Sequence, residues 1–420
     1  MYPSVRPTAV LDAPSTPRAD QKTTRRRRVP ANVVYLGLTS MFTDVSSEMV
    51  NSVLAIYLVF QLRFTPLQFG LFNGIYLAVS GLMTIAGGVI ADRSRRYKEV
   101  AGAGYGLSAA CKLGLLAARN APIPASAALF TDRVGKGVRS APRDALISLS
   151  SEPERLGTNF GVHRAFDTAG AVAGPIVAFL ILRAAPNGYD AVFVVSFLVA
   201  LIGLGVLVFF VRNKRNDSAR HTVATWSAAI KLVAKEPFRT LVAVGTLFGL
   251  FTMADAFIYL TFRQSSSFQT QYFPLLYVGT AISYLVLAIP LGSAADRIGR
   301  SRVFLGGYVL LLGVYLLLLV PSPDGVDLVI ILALLGAFYA CTDGVLVAMA
   351  STAIPRGQRT SGLAVLTSAA AISAFVSSLG FGAMWSWWGP TTTVKVFAIA
   401  LAVMIVGAAR WLQVRTRRYG

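Results

Sequence analysis

Apolar residues run along this chain in long stretches separated by short polar segments. A hydrocarbon layer of ~30 Å is crossed by about 20 helical residues. Runs of that kind cover 33–60, 66–91, 100–118, 123–148, 159–182, 190–211, 238–262, 272–294, 303–320, 326–350, 361–384 and 391–411. The pattern predicts an all-α membrane protein with twelve transmembrane helices. The polar segment 212–237 divides it into an N-terminal half (33–211) and a C-terminal half (238–411) of six helices each. Within that segment Trp226, Ile230 and Val233 share one helical face, with Lys231 and Lys235 elsewhere. It reads as a short helix on the membrane surface or equally as a polar linker. Residues 1–32 read as a disordered basic tail, because the first 28 are rich in Pro, Thr, Ser and Arg and lack the apolar core and cleavage site of a signal peptide. Residues 412–420 form a second tail.

Composition sharpens this picture. Hydrophobic residues make up 55% of the 420 and charged residues 14%, with a mean hydropathy of +0.62. Soluble domains hold about 45–50% apolar and ~25% charged residues, so a soluble enzyme and a disordered chain are both excluded. No catalytic group and no cofactor are expected. Cys111 and Cys341 lie far apart in apolar runs and offer neither a disulfide framework nor a metal site.

The net charge is +20. Of the 39 Lys and Arg residues, 27 fall in the tails and the loops on one side, and 4 (Arg63, Arg119, Arg183, Arg263) on the other. Cytoplasmic loops carry such an excess. Both termini are therefore expected in the cytoplasm, in a multi-pass protein of the plasma or inner membrane, and no nucleic acid is needed to explain the charge. The 31 arginines against 8 lysines point to a GC-rich bacterial genome.

A repeat links the two halves. Gly88-Val-Ile-Ala-Asp92-Arg93 follows the second run, and Gly292-Ser-Ala-Ala-Asp296-Arg297 follows the eighth, 204 residues later at all three named positions. Two homologous six-helix halves require such an offset. On these loops, which follow the pattern Gly-x-x-x-Asp-Arg-x-Gly through Gly299 in the second copy and carry Arg95 in place of that Gly in the first, the sequence resembles the major facilitator superfamily over essentially its whole length. The resemblance implies the major facilitator fold and transport by alternating access. Leu129-Phe-Thr-Asp-Arg133-Val-Gly-Lys-Gly137 is similar to that family's conserved membrane Arg followed by Gly, with Lys136 in a slot usually uncharged. Gly161, Gly170 and Gly174-Pro175 resemble the signature of the superfamily's drug/proton antiporters, whose closing Gly-Gly is Ala178-Phe179 here. Small residues of this kind also make a groove for another helix, and Pro175 removes a backbone hydrogen bond.

Charges inside the runs are the candidate chemistry. Ser40, Asp44, Ser47, Glu48 and Asn51 fall within an arc of about 100° on the first helix. Asp132, Arg133, Lys136, Arg139, Ser140, Arg143 and Asp144 occupy about 140° of the fourth. His163 and Asp167 share a face of the fifth, and Lys112 sits midway along the third. The C-terminal half holds only Asp255, Asp343 and Lys395. Each charge at mid-membrane costs roughly 2.5–3.5 kcal/mol, so these groups must pair or face an internal cavity. Ion pairing is the expectation for Arg143, Asp144 and Arg164, near the cytoplasmic ends.

Proton coupling is expected at Asp44 and Glu48, neighbours one turn apart that resist ionising together in a dry interior. Arg133 is the expected counter-charge, and Asp255 and Asp343 are alternative carriers. A reading in which both acids stay locked in ion pairs remains open. The substrate cavity is expected at Ser40, Asn51, Lys136, Arg139, His163 and Asp167, and gating contacts at Asp92 with Arg93 and Asp296 with Arg297.

The reading is a monomeric secondary transporter that exports a small amphipathic molecule as protons enter. Symport or exchange of a small organic anion is the alternative, since Arg forks suit carboxylate and phosphate. A receptor or scaffold has no need of a gated, charged interior. Gly135-Lys136-Gly137 is not a nucleotide-binding loop.

Overall fold

The computed structural model describes residues 29–152, 155–214, 236–266, 268–354 and 359–419. Most of the N-terminal tail and of the linker, including the surface helix considered around Trp226, lies outside the described residues. Within them every regular element is helical. The N-terminal half comprises α1 (Ala31–Ile56), continued by a π-helical turn at Tyr57–Gln61, α2 (Pro66–Ser94), α3 (Tyr97–Ala117), α4 (Pro122–Leu149), α5 (Leu156–Ala184) and α6 (Tyr189–Phe210). The C-terminal half comprises α7 (Phe238–Leu250), α8 (Asp255–Ser265), α9 (Phe273–Ile298), α10 (Arg300–Leu317), α11 (Gly325–Ala353) and α12 (Arg359–Tyr419).

Among the described residues nine helical stretches are long and apolar enough to cross a membrane, with α7 and α8 counted as one and α12 as another. Helices α1 and α4 fall short of that mark because they carry the densest polar side chains. Their 26 and 28 residues nevertheless reach about 39 and 42 Å at ~1.5 Å per residue.

Local signals set several helix ends. Thr65 caps α2 and Gln68 reciprocates, with Pro66 at the first helical position. Asp324 and Asp327 do the same for α11. Elsewhere the helices run past the expected borders, because charged end residues keep the last turn soluble. The loop expected at 295–302 shrinks to Gly299 between α9 and α10, and α12 continues through its expected loop with a break at Gly389 (φ +78°) before Pro390.

The seventh run, expected as one helix, is broken at 251–254. Backbone groups freed inside a membrane need partners, and two side chains supply them. Tyr315 of α10 donates to Phe251 O (2.9 Å) and accepts from Met253 N (2.7 Å), while Ser377 of α12 donates to Thr252 O (2.8 Å).

The two halves meet at the end where α1 finishes and α2 begins. Leu67 N donates to Ser386 Oγ and Asn73 Nδ2 to Ser378 Oγ, both at 3.0 Å. Phe69 meets Phe257 edge-on at 5.0 Å and Phe179 stacks on Tyr272 at 5.6 Å. One continuous apolar core spans both halves here. Toward the end that carries the termini, the apolar packing divides into two separate clusters. One is built on Val33, Tyr97, Leu146 and Leu207 of the first half, the other on Phe238, Ala350, Ile354 and Leu363 of the second. The bundle is closed at the first end and parted at the second.

Candidate functional site: a ladder between α1 and α4

Helices α1 and α4 run in opposite directions, so rising three or four residues on one matches falling three or four on the other. Four contacts result. Asn51 Oδ1 accepts from Arg133 at 3.3 Å, Glu48 faces Lys136 at 3.8 Å, Asp44 faces Arg139 at 3.8 Å, and Ser40 Oγ accepts from Arg143 at 2.6 Å. The helical turn alone dictates this spacing. The site residues expected on α1 and α4 thus lie opposite one another, but Arg133 does not face the two α1 acids. It sits one rung beyond them, and Lys136 and Arg139 take that place.

The two middle rungs differ from the outer ones. At 3.8 Å they exceed hydrogen-bond distance, so only charge attraction holds them. The carboxylate side chains are 19% exposed and Lys136 22%, whereas Arg139 is 3% exposed. Asp44 and Glu48 are thus only partly buried, each beside a base that it does not bind tightly. Asn51 Nδ2 donates to Glu48 Oε1 (3.2 Å) and accepts Tyr76 OH through Oδ1 (2.6 Å).

Two buried aromatic rings pack against bases of the ladder. The Arg133 guanidinium lies over Tyr76 at 4.3 Å and that of Arg139 over Tyr105 at 4.8 Å, a favourable contact between a cation and a ring face. Sequence reasoning missed both tyrosines, because one aromatic within an apolar run carries no periodic signal. Their position one to two turns from a cluster of small residues is the only hint available.

Helix α5 backs the ladder. A methyl group at Gly170 would sit 2.6 Å from Met41 O, and one at Gly174 would sit 2.7 Å from Val45 O. Only glycine allows the backbone of α1 to come that close, and the two contacts flank Asp44 and Glu48. Gly161 faces open space. Pro175 lies within α5, whose helix continues through it. Nearer the termini, His163 Nδ1 is 3.5 Å from Asp167 Oδ2, and Asp167 is 4.0 Å from Arg143. Arg143 also binds Asp144 with Nε (3.0 Å) and Nη2 (2.9 Å), the ion pair expected there.

The other expected groups are elsewhere. Asp255 opens α8, buried, and accepts from Tyr339 OH at 2.5 Å. Asp343 lies one turn beyond Tyr339 on α11, with Oδ2 buried and unbonded. Both acids belong to the C-terminal half and stand apart from the ladder. In the loops, Asp92 accepts from Tyr97 OH (3.1 Å) and Asp296 pairs with Arg300 (3.0 Å), so each stays within its own half. Arg93 and Arg297, the expected partners, are exposed. Arg95 takes the left-handed conformation (φ +56°) at the position where the second copy has Gly299 (φ +104°). Gly88 abuts Ala141, and Gly292 faces open space.

A family model described as Major Facilitator Superfamily matches residues 36–279 and 266–419. An uncharacterized MFS-type transporter of Methanocaldococcus jannaschii is 29% identical over 364 residues, covering 86% of this chain and 89% of that protein. An uncharacterized protein of Mycobacterium tuberculosis is 31% identical over 181 residues, 43% of this chain and 44% of that one. Among solved structures, the nucleoside transporter NupG superposes with a TM-score of 0.73 at 14% identity, covering 90% of this chain and 98% of that one. A POT family transporter in complex with 5-aminolevulinic acid superposes with a TM-score of 0.74 at 15% identity, covering 91% and 96%. At such identities these two attest the fold alone.

Proposed function

Because the chain belongs to the Major Facilitator Superfamily, and so is a multi-pass membrane transporter of small molecules, we propose that it couples transport to protons at the middle rungs of the α1–α4 ladder. The observation that carries this reading is the pair of loose, accessible rungs, Glu48–Lys136 and Asp44–Arg139, each at 3.8 Å. A proton on either carboxylate cancels its charge, and the attraction that holds the opposing base goes with it. Loss of the proton restores the rung. Protonation and the width of the cavity are thereby tied, which is what coupled alternating access requires.

The leading reading is export of a small amphipathic molecule against proton entry. The antiporter-like glycines support it, since Gly170 and Gly174 hold the turn of α1 that bears both acids. The cavity's other wall supports an amphipathic substrate, with Tyr277 packed on Tyr259 at 4.9 Å in the C-terminal half. A second reading, symport or exchange of a small organic anion, is favoured by the same rungs. A protonated Glu48 frees Lys136, and a protonated Asp44 frees Arg139, for an anionic group.

The charge bias of the loops supports termini in the cytoplasm of a cell-membrane protein. In that orientation the parted end of the bundle opens to the cytoplasm. The protein acts as a monomer in lipid without a cofactor. The experiment is flux in oriented proteoliposomes under an imposed pH gradient, with labelled cationic, zwitterionic and anionic amphiphiles compared. Movement of any of these amphiphiles against the proton gradient supports export, and co-movement of an anion with protons supports symport. Flux that ignores both the gradient and a protonophore overturns proton coupling.

A further inference from the structure

Lys112 is among the largest fully buried side chains, 1% exposed and in the C-terminal third of α3. Helices α3 and α4 approach backbone to backbone there. A methyl group at Gly104 would meet Gly135 O at 2.8 Å, and one at Gly135 would meet Gly104 O at 2.7 Å. This approach sets Lys112 Nζ 2.5 Å from Asp132 Oδ1 and brings Ser108 Oγ to the same oxygen at 2.5 Å. The other oxygen, Oδ2, accepts from Arg133 at 2.8 Å. One carboxylate therefore serves two bases, on opposite sides.

Charge arithmetic gives this cluster a function. The middle rungs of the ladder are each neutral, one acid to one base. Lys112, Asp132 and Arg133 together hold one positive charge in excess. Lys112 neutralises Asp132 from the α3 side, in a place the cavity does not reach. The uncompensated charge is left on Arg133, whose guanidinium meets buried Tyr76 and half-buried Asn51 on the α1 side. Without Lys112, Asp132 would neutralise Arg133 instead, and this part of the wall would carry no net charge.

We infer that Lys112 is a positioning residue that assigns a net positive charge to the Arg133 side of the cavity, and so selects for an anionic group on whatever molecule enters. The inference rests on the reading of this cavity as the transport site. It goes beyond that reading in naming the sign of the wall and a residue that sets it without touching the substrate.

The test needs no substrate. Cys111 and Cys341 are replaced by Ala, and Asn51→Cys places a thiol beside Arg133. The reporter is the rate of modification by an anionic sulfonatoethyl methanethiosulfonate divided by the rate with its neutral hydroxyethyl analogue. In this background Lys112→Gln and Lys112→Met lower the ratio about tenfold, as a lost unit charge within several ångström does at an intermediate dielectric. Arg133→Gln lowers it as far. Lys112→Arg keeps it, and Lys112→Gln with Asp132→Asn restores it.

Gln still donates a hydrogen bond to Asp132, so a merely structural Lys112 would leave the ratio at the parent's value in Lys112→Gln. That result, or failure of the double variant to recover, overturns the inference. Should Lys112→Met not fold, Lys112→Gln decides alone. Because nothing is transported in this assay, a changed ratio together with gradient-independent flux would refute proton coupling and leave the inference standing.

Discussion

The two halves share a fold and a loop repeat but pack their interiors with different chemistry. In the N-terminal half, α1 and α4 face each other with acids against bases, and each buried charge has a partner of opposite sign within 4.0 Å. In the C-terminal half the corresponding space is filled by rings. Phe248 packs on Tyr308 at 4.3 Å, Tyr308 on Phe338 at 5.2 Å, and Phe338 on Tyr339 at 5.1 Å. At the repeat offset, Asp44 and Glu48 correspond to Phe248 and Thr252. One half therefore holds the charged groups on which the proposed proton coupling rests. The other packs buried rings whose contacts do not depend on charge, with Asp255 and Asp343 as its acids. A repeated fold does not oblige a repeated chemistry, since packing needs only volume whereas coupling needs charge.

The comparison is broken most sharply at the buried triad. Asp132→Asn leaves Lys112 charged and unpaired in the protein interior, a change that costs about 3–5 kcal/mol. Thermal unfolding in detergent measures it. Asp296→Asn, at an exposed ion pair in the other half, changes stability by at most about 1 kcal/mol.

Function is expected to divide in the same direction. Asp44→Asn with Glu48→Gln reduces gradient-driven flux on the order of 100-fold, equivalent to roughly 2.7 kcal/mol in rate, and flattens its dependence between pH 5 and 9. Asp255→Asn with Asp343→Asn keeps the parent's pH profile. The reverse outcome would move coupling to the aromatic wall.

The break in the seventh run tests the C-terminal half. Tyr315→Phe leaves Met253 N and Phe251 O without their shared hydroxyl and costs about 1–3 kcal/mol. Tyr105→Phe in the N-terminal half keeps its ring beneath Arg139 and costs less in the same unfolding experiment.

A further contrast lies at the repeated loop. Arg95→Gly relieves a left-handed residue and stabilises by roughly 1–2 kcal/mol, whereas Gly299→Arg, at φ +104°, destabilises by about 1–3 kcal/mol. Paired melting curves show whether the two copies of the turn are equally strained.

Several of these features were legible in the residues before any coordinates. The apolar runs, the polar arc of α1 and the basic stripe of α4 all follow from local periodicity, while the transporter family was read from the resemblance carried by the repeated loop. A period needs only neighbours in sequence. Lys112 was visible as a charge out of place, and the glycines of α5 as a groove in search of a helix. What occupied the groove was not visible.

The pairings were decided elsewhere. Which acid meets which base depends on how far α1 is shifted along α4, and a shift of one turn, ~5.4 Å, moves each acid to the next base. Nothing local fixes that distance. It is set by α5 gripping α1 at Gly170 and Gly174, and by α3 gripping α4 at Gly104 and Gly135. The same holds for the break at 251–254, whose backbone is satisfied by Tyr315 and Ser377 from helices far along the chain. Sequence by itself determined which residues had to be hidden from lipid, because burying a charge carries its cost wherever it lies. Only tertiary structure decided what each hidden charge would face, because an ion pair is a distance between two elements and no single element contains it.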